Sequence, residues 1–292
     1  MKNILGLVLV FYFSFSNFAK AQDDLMKMLD EEPQKKEYTT AAFKGTRLIN
    51  MHTIETTGRR AMDFRISHRF GTFNSGSYQA FGIDLAANIR LSLEYSYDGR
   101  FQFGIGRTSF QKIVDGFLKY RLIRQSTDDK TPISITLLST AFYSFEKKQI
   151  AGIDFYGSPI DRLSYAHQII IGRKFSEGVS FQIAPTVVHI NMVEKLGDKN
   201  DIYAICALGR VKISKRFALT AEYGYRLNKY SSQKYYDTFA VGCDIETGGH
   251  VFQLHFVNSI GLVESQFIPF TNTRWDNAGI RLGFNISRIF GV

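Results

Sequence analysis

From Arg60 onward, apolar and polar positions alternate with a period of two. Met62, Phe64 and Ile66 alternate with Asp63, Arg65, Ser67 and Arg69, and Ile89, Leu91, Leu93, Tyr95 and Tyr97 alternate with Asn88, Arg90, Ser92, Glu94 and Ser96. Phe217, Leu219, Ala221, Tyr223, Tyr225 and Leu227 do the same against Ala218, Thr220, Glu222 and Arg226. Successive side chains of a strand point to opposite faces, so each run predicts a strand with one apolar and one polar face. Twelve strands are predicted, at 60–71, 87–97, 101–108, 112–123, 132–145, 162–175, 179–190, 201–213, 217–227, 236–247, 250–258 and 276–290. Runs of roughly 10 to 14 residues exceed the usual length in globular sheets and suit a tilted membrane strand.

The connections alternate in length. Short ones fall at Asp98-Gly99-Arg100, Ser176-Glu177-Gly178, Ser214-Lys215-Arg216 and Gly248-Gly249; longer ones span 72–86, 146–161, 191–200, 228–235 and 259–275. Links at 109–111 and 124–131 fit the alternation less cleanly. A three-residue loop pairs positions of equal parity, and Tyr97 with Phe101, Phe175 with Val179 and Ile213 with Phe217 meet that condition. Gly248-Gly249 is a two-residue hairpin signal that pairs Thr247 with His250 and Ile245 with Phe252. The apolar face therefore stays on one side of the sheet across all four turns.

An even number of antiparallel strands, with short turns at one end and long loops at the other, predicts an all-β fold: a twelve-stranded transmembrane barrel of the outer-membrane kind, with both termini periplasmic. Closure leaves no unpaired backbone edge in lipid. A soluble barrel with its apolar face inward shares the alternation but not the strand length and loop asymmetry.

The N-terminus agrees with export. Lys2 precedes a nearly unbroken apolar run from Ile4 to Phe18, and Ala19-Lys20-Ala21 is a small-x-small cleavage signal. Residues 1–21 are expected to be a signal peptide cut between Ala21 and Gln22, 22–59 a periplasmic segment that plugs the barrel or docks on a partner, and 60–292 the barrel. Composition then takes on a different meaning. The chain has 45% hydrophobic residues, 26 Phe, 15 Tyr, 2 Cys and a net charge of +9. Averaging a lipid face with a charged lumen gives near-neutral hydropathy without a helical span, and two cysteines exclude a disulfide framework. Cys206 and Cys243 fall on opposite faces two strands apart, so two unpaired thiols are expected.

Several stretches together resemble a family of Gram-negative outer-membrane β-barrel proteins classed as a domain of unknown function. They are A-F-K-G-T-R-L-I-N (Ala42 to Asn50), I-S-H-R-F-G (Ile66 to Gly71), F-G-I-D (Phe81 to Asp84), G-I-G-R-T-S-F-Q-K (Gly104 to Lys112), D-G-F-L-K-Y (Asp115 to Tyr120) and G-F-N-I-S-R (Gly283 to Arg288). The resemblance implies the barrel and the outer-membrane location, and it brings no reaction or substrate.

With the apolar phase facing lipid, the lumen is expected to hold Asp63, Arg65, Arg69, Arg90, Glu94, Asp115, Lys119, Arg121, Arg210, Lys212, Glu222, Arg226 and Arg281. Centring the first hairpin near residue 79 places Arg65 opposite Glu94 and Arg69 opposite Arg90. These charges either neutralise one another and fill the barrel, or form a basic lumen that attracts anionic solutes. The strands at 132–145, 162–175, 179–190 and 201–213 carry apolar residues on both faces, among them Leu138, Phe142, Ile170, Val188, Ile202 and Leu208. Their inward members need something to pack against, such as the N-terminal segment with Leu48 and Ile49 or an apolar ligand, so a narrow or plugged passage is expected.

Candidate chemistry is thin. The six histidines form no close-spaced metal set, and no nucleophile elbow, phosphate loop or Cys-x-x-Cys occurs. His167 and Ser164, an odd number of residues apart, face opposite sides. The expectation is a non-enzyme without cofactor or nucleic-acid partner. Its expected partners are outer-membrane lipid, the barrel-assembly machinery, and a small anionic or amphiphilic solute or a periplasmic protein. The two functional readings are restricted passage or binding of that solute, and a closed barrel that anchors or docks a partner.

Overall fold

The computed structural model describes residues 37–195, 197–230, 234–247 and 249–291. The expected signal peptide, its expected cleavage site between Ala21 and Gln22, and the first part of the 22–59 segment lie outside the described residues.

Twelve antiparallel strands close into a barrel: β1 (Ala61–Thr72), β2 (Asn88–Ser96), β3 (Phe101–Thr108), β4 (Ile113–Ile123), β5 (Ser134–Ser144), β6 (Leu163–Lys174), β7 (Val179–Ile190), β8 (Asp201–Lys212), β9 (Phe217–Arg226), β10 (Thr238–Thr247), β11 (His250–Val257) and β12 (Arg281–Gly291). Each pairs with its sequence neighbours, and β1 closes the ring on β12 with Met62 opposite Phe290. The strands run 8 to 12 residues, somewhat shorter than the alternation suggests, and β12 begins five residues later than predicted.

The phase of the short turns is as the alternation requires. Backbone hydrogen bonds run from Tyr97 to Phe101, Phe175 to Val179 and Ile213 to Phe217, and Thr247 pairs with His250. The first hairpin is different. Asp63 lies opposite Glu94, Arg65 opposite Ser92, Ser67 opposite Arg90 and Arg69 opposite Asn88. The expected pairings of Arg65 with Glu94 and Arg69 with Arg90 are therefore displaced by two residues. The intervening loop is irregular, with two 3-10 turns and left-handed backbone at Ala80 and Phe81, so no tight turn dictates its centre. A shift of two keeps every side chain on its predicted face, because the period is two.

The outer surface carries the apolar phase, with Leu91, Leu93, Ile105, Leu118, Ile169 and Leu219 all exposed. Aromatic pairs such as Tyr95–Phe103 and Tyr143–Phe145 lie on it near strand ends, where bulky rings suit the membrane interface. Cys206 is buried, Cys243 is partly exposed, and neither forms a disulfide.

Inside the ring, the chain from Tyr38 forms a long hairpin. Tyr38 bridges to Ser126 in the 124–133 connection, the longest at the short-turn end; the additional residues of that connection receive the incoming strand. The chain turns at 48–51, where Leu48 donates to Met51, Arg47 bridges to His52, and Thr53 donates to Thr46. It leaves past Thr57, whose hydroxyl donates to the carbonyl of Ala61 at the start of β1. Both limbs therefore leave the barrel at the short-turn end. The loop after β11 folds inward from the opposite end; it contains one turn of helix, α1 (Glu264–Phe267), all four residues buried.

Candidate functional site

The lumen has two halves. On β5 to β8, Leu138, Phe142, Ile170, Val188, Ile202 and Leu208 face inward at 0–4% exposure and pack with Phe43, Leu48, Met51 and Ile54 of the hairpin and with Val263 and Phe267 of the inward loop. Ile49 lies in a separate small cluster with Ala240 and Val257. The apolar residues on both faces of these strands thus have the packing partner that the pattern demands.

The other half is polar and grips the backbone of the hairpin. Glu222 accepts the backbone N–H groups of Ile49, Asn50 and Met51 at 2.6–3.0 Å, which holds the tip of the turn. Glu94 accepts from Thr46 Oγ1 at 2.7 Å and Gln102 Nε2 at 2.6 Å. Lys119 Nζ donates to the carbonyls of Thr46 and Glu55, and Arg121 forms an ion pair with Glu55. Arg69 donates to Asn50 Oδ1 at 2.6 Å, and Arg65 reaches the carbonyl of Arg47 at 3.4 Å. Such contacts are directional and buried, so each fixes position as well as contributing energy.

Two of the predicted lumen charges bind each other. Arg90 and Asp115 form a two-point pair at 2.5 and 3.0 Å, reaching across β3. The strand they cross has Gly106 there, where a Cβ would lie 2.2 Å from the Arg90 guanidinium. Only glycine leaves room for the side chain to lie flat on the sheet. Arg226 binds Asp237 at 3.0 Å and donates to the carbonyl of Pro269, tying the inward loop to the wall. Arg210 sits between Asp244 at 3.5 Å and Glu246 at 2.8 Å. Lys212 and Arg281 are only partly buried at the two ends.

Charge is nearly balanced within. Among the described residues, eight buried cationic side chains (Arg47, Arg65, Arg69, Arg90, Lys119, Arg121, Arg210 and Arg226) face six buried carboxylates (Asp63, Glu94, Asp115, Glu222, Asp244 and Glu264). At the margins, Glu55, Asp237 and Glu246 add three carboxylates, and Lys212 and Arg281 add two cations. The sequence excess of positive charge therefore does not collect in the lumen.

Several members of the site carry no charge pattern and escape sequence reasoning. Gln182 accepts from the Ile54 N–H and donates to the His52 carbonyl, Asn285 donates to the Ile49 carbonyl, and Gln102 accepts from the Thr57 N–H. All three lie in the inward phase of their strands. Glu264 was also missed; it meets Arg47 at 3.3 Å and lies 3.8 Å from His52, so the inward loop and the hairpin tip touch through a charged contact. The signal was present: Ile260, Leu262, Val263, Phe267 and Ile268 make the 259–275 stretch too apolar for a solvated loop.

Elsewhere the chemistry is sparse. His167 lies on the outer face, hydrogen-bonded to Ser139 at 3.0 Å, and Ser164 points inward. No cluster of three or more metal-ligating side chains occurs among the described residues.

A closed twelve-stranded ring with an apolar exterior, short turns at one end and a filled lumen, polar on one side, defines a membrane-spanning barrel of the outer-membrane type. The sequence matches the membrane bound beta barrel domain family (DUF5777) over residues 43–290, and the chain belongs to that family. No curated protein shows significant similarity to it. Among solved structures, it is similar to the NanC porin at 9% identity and TM-score 0.47, over 79% of this chain and 99% of that one. The KdgM porin in complex with disordered oligogalacturonate matches at 11% identity and TM-score 0.48, with the same coverage. An outer membrane channel from Pseudomonas putida matches at 13% identity and TM-score 0.46, over 81% of this chain and 98% of that one. Family and fold together make the protein a membrane-bound β-barrel, the architecture of outer-membrane proteins.

Proposed function

We propose that the barrel is a gated pathway for a small amphiphilic solute, closed at rest by the hairpin of residues 42–57. The observation that carries this reading is the two-sided lumen beneath the hairpin. Withdrawal of the hairpin would uncover an apolar wall (Phe142, Ile170, Val188) facing a charged one (Arg69, Lys119, Glu222). A solute with an apolar body and a polar head would find a surface for each. The hairpin is tied largely through backbone groups to wall side chains, contacts that can be exchanged for water or solute without unfolding a strand. In the orientation usual for such barrels, both limbs lead to the periplasm.

Planar-bilayer recording tests this. The wild type should show little steady conductance, and deletion of residues 42–57 should raise it at least tenfold, with barrel closure verified by heat-modifiable gel mobility. Absence of conductance from both proteins would overturn the pathway and favour a closed scaffold that anchors or docks a partner.

A further inference from the structure

At the long-loop end, the connections after β5, β7, β9 and β11 converge over a cavity of about 70 Å³. Its walls include Tyr230, Tyr235 and Phe270. The rings of Tyr230 and Phe270 stack 5.7 Å apart, and Tyr235 meets both edge-on. Phe155, Met192 and Val193 continue from this cavity into a wider groove of about 680 Å³, which Ile150 and Ile153 also line.

The charge of the cavity is opposite to that of the chain as a whole. Glu146, Asp161, Glu194 and Asp198 line it against Lys148 and Arg162. Both cations are engaged locally: Lys148 pairs with Glu194 and lies 4.6 Å over the ring of Phe155, while Arg162 lies 4.4 Å over Tyr156 and donates to the carbonyls of Ser144 and Glu146. The aromatic faces here already receive positive charge, as ring quadrupoles do. Burial pushes the Tyr230 phenol well above its usual range, and the negative charge of Asp198 adds to the effect.

Two polar groups at the cavity are unsatisfied. Tyr230 and Ser265 are 8% and 4% exposed, and neither hydroxyl has a hydrogen-bond partner among the described residues. Buried hydroxyls without partners are uncommon, and each is a place where a ligand N–H or O–H gains a bond at no desolvation cost to a competing pair.

We propose that this mouth cavity is a binding site for a small amphiphilic ammonium ion, its charged head among the Tyr230 and Ser265 hydroxyls and the carboxylates, and its apolar body in the groove of Ile150, Ile153 and Met192. An anion would face the carboxylate majority, and a polyol would leave the apolar groove unfilled.

Isothermal titration calorimetry on the full-length protein in detergent tests the site, with n-butylammonium as probe and n-butyrate and glucose as comparisons. Saturable binding of n-butylammonium is expected, weakened about tenfold in Glu146→Gln and several-fold in Tyr230→Phe, neither of which touches the strand ladder. Failure of n-butylammonium to bind overturns the site. Equal or tighter binding of n-butyrate or glucose does so too, as does butylammonium affinity unchanged in both variants. Because the cavity lies outside the hairpin seal, the result does not depend on whether the lumen conducts.

Discussion

The two halves of the lumen hold the same hairpin by different physics. The wall of β5 to β8 offers shape: Phe142, Ile170 and Val188 pack against Leu48, Met51 and Ile54 without a direction of their own. The opposite wall offers addresses: Glu222 accepts from three consecutive N–H groups, Glu94 accepts from the Thr46 hydroxyl, and Lys119 and Arg69 donate to particular oxygens of the hairpin. Apolar contact favours any well-fitting filler, whereas directional bonds select one register. The comparison implies that stability is shared by the two walls while registration belongs to the polar one.

The largest effect should come from splitting the Arg90–Asp115 pair. Asp115→Ala leaves a buried guanidinium without its carboxylate and should cost about 3–5 kcal/mol in urea unfolding from vesicles. The double variant Arg90→Met with Asp115→Leu should lose less than that single change, because no charge is stranded. Equal losses for the two would mean that the pair contributes by packing alone. Next comes Glu222→Ala, which leaves three buried N–H groups without an acceptor and should cost about 3 kcal/mol. It should also expose the 42–57 hairpin to protease, whereas a variant on the apolar wall of equal stability should not. The smallest is Ile170→Val, at about 1 kcal/mol with no change in protease sensitivity. If Ile170→Val released the hairpin as Glu222→Ala does, registration could not be assigned to the polar wall.

These two walls were not equally legible in the sequence. The strands were, because a period of two survives every local irregularity, and the apolar wall announced itself as residues such as Ile170 and Leu208 on what should have been a wet face. The polar wall was visible as a set of charges but not as a set of partners. Glu222 and Lys119 bind backbone groups of an aperiodic segment, and a backbone amide has no side-chain signature. The register of the first hairpin was missed because the 73–87 loop is irregular, with left-handed residues at Ala80 and Phe81 and no tight turn. Glu264 was missed because it lies in the 259–275 loop, outside the period-two strands from which the lumen residues were read.

The hairpin enters and leaves by one end of the ring, joined to β1 at Ala61 and braced on the 124–133 connection by Tyr38. Among the described residues, nothing is threaded. The ring can close around an empty centre and receive its filler afterwards, and it can release that filler without passing a chain end through the wall. Sealing is then a separate step from strand pairing, with its own equilibrium, and a barrel caught between the two would be fully formed yet open.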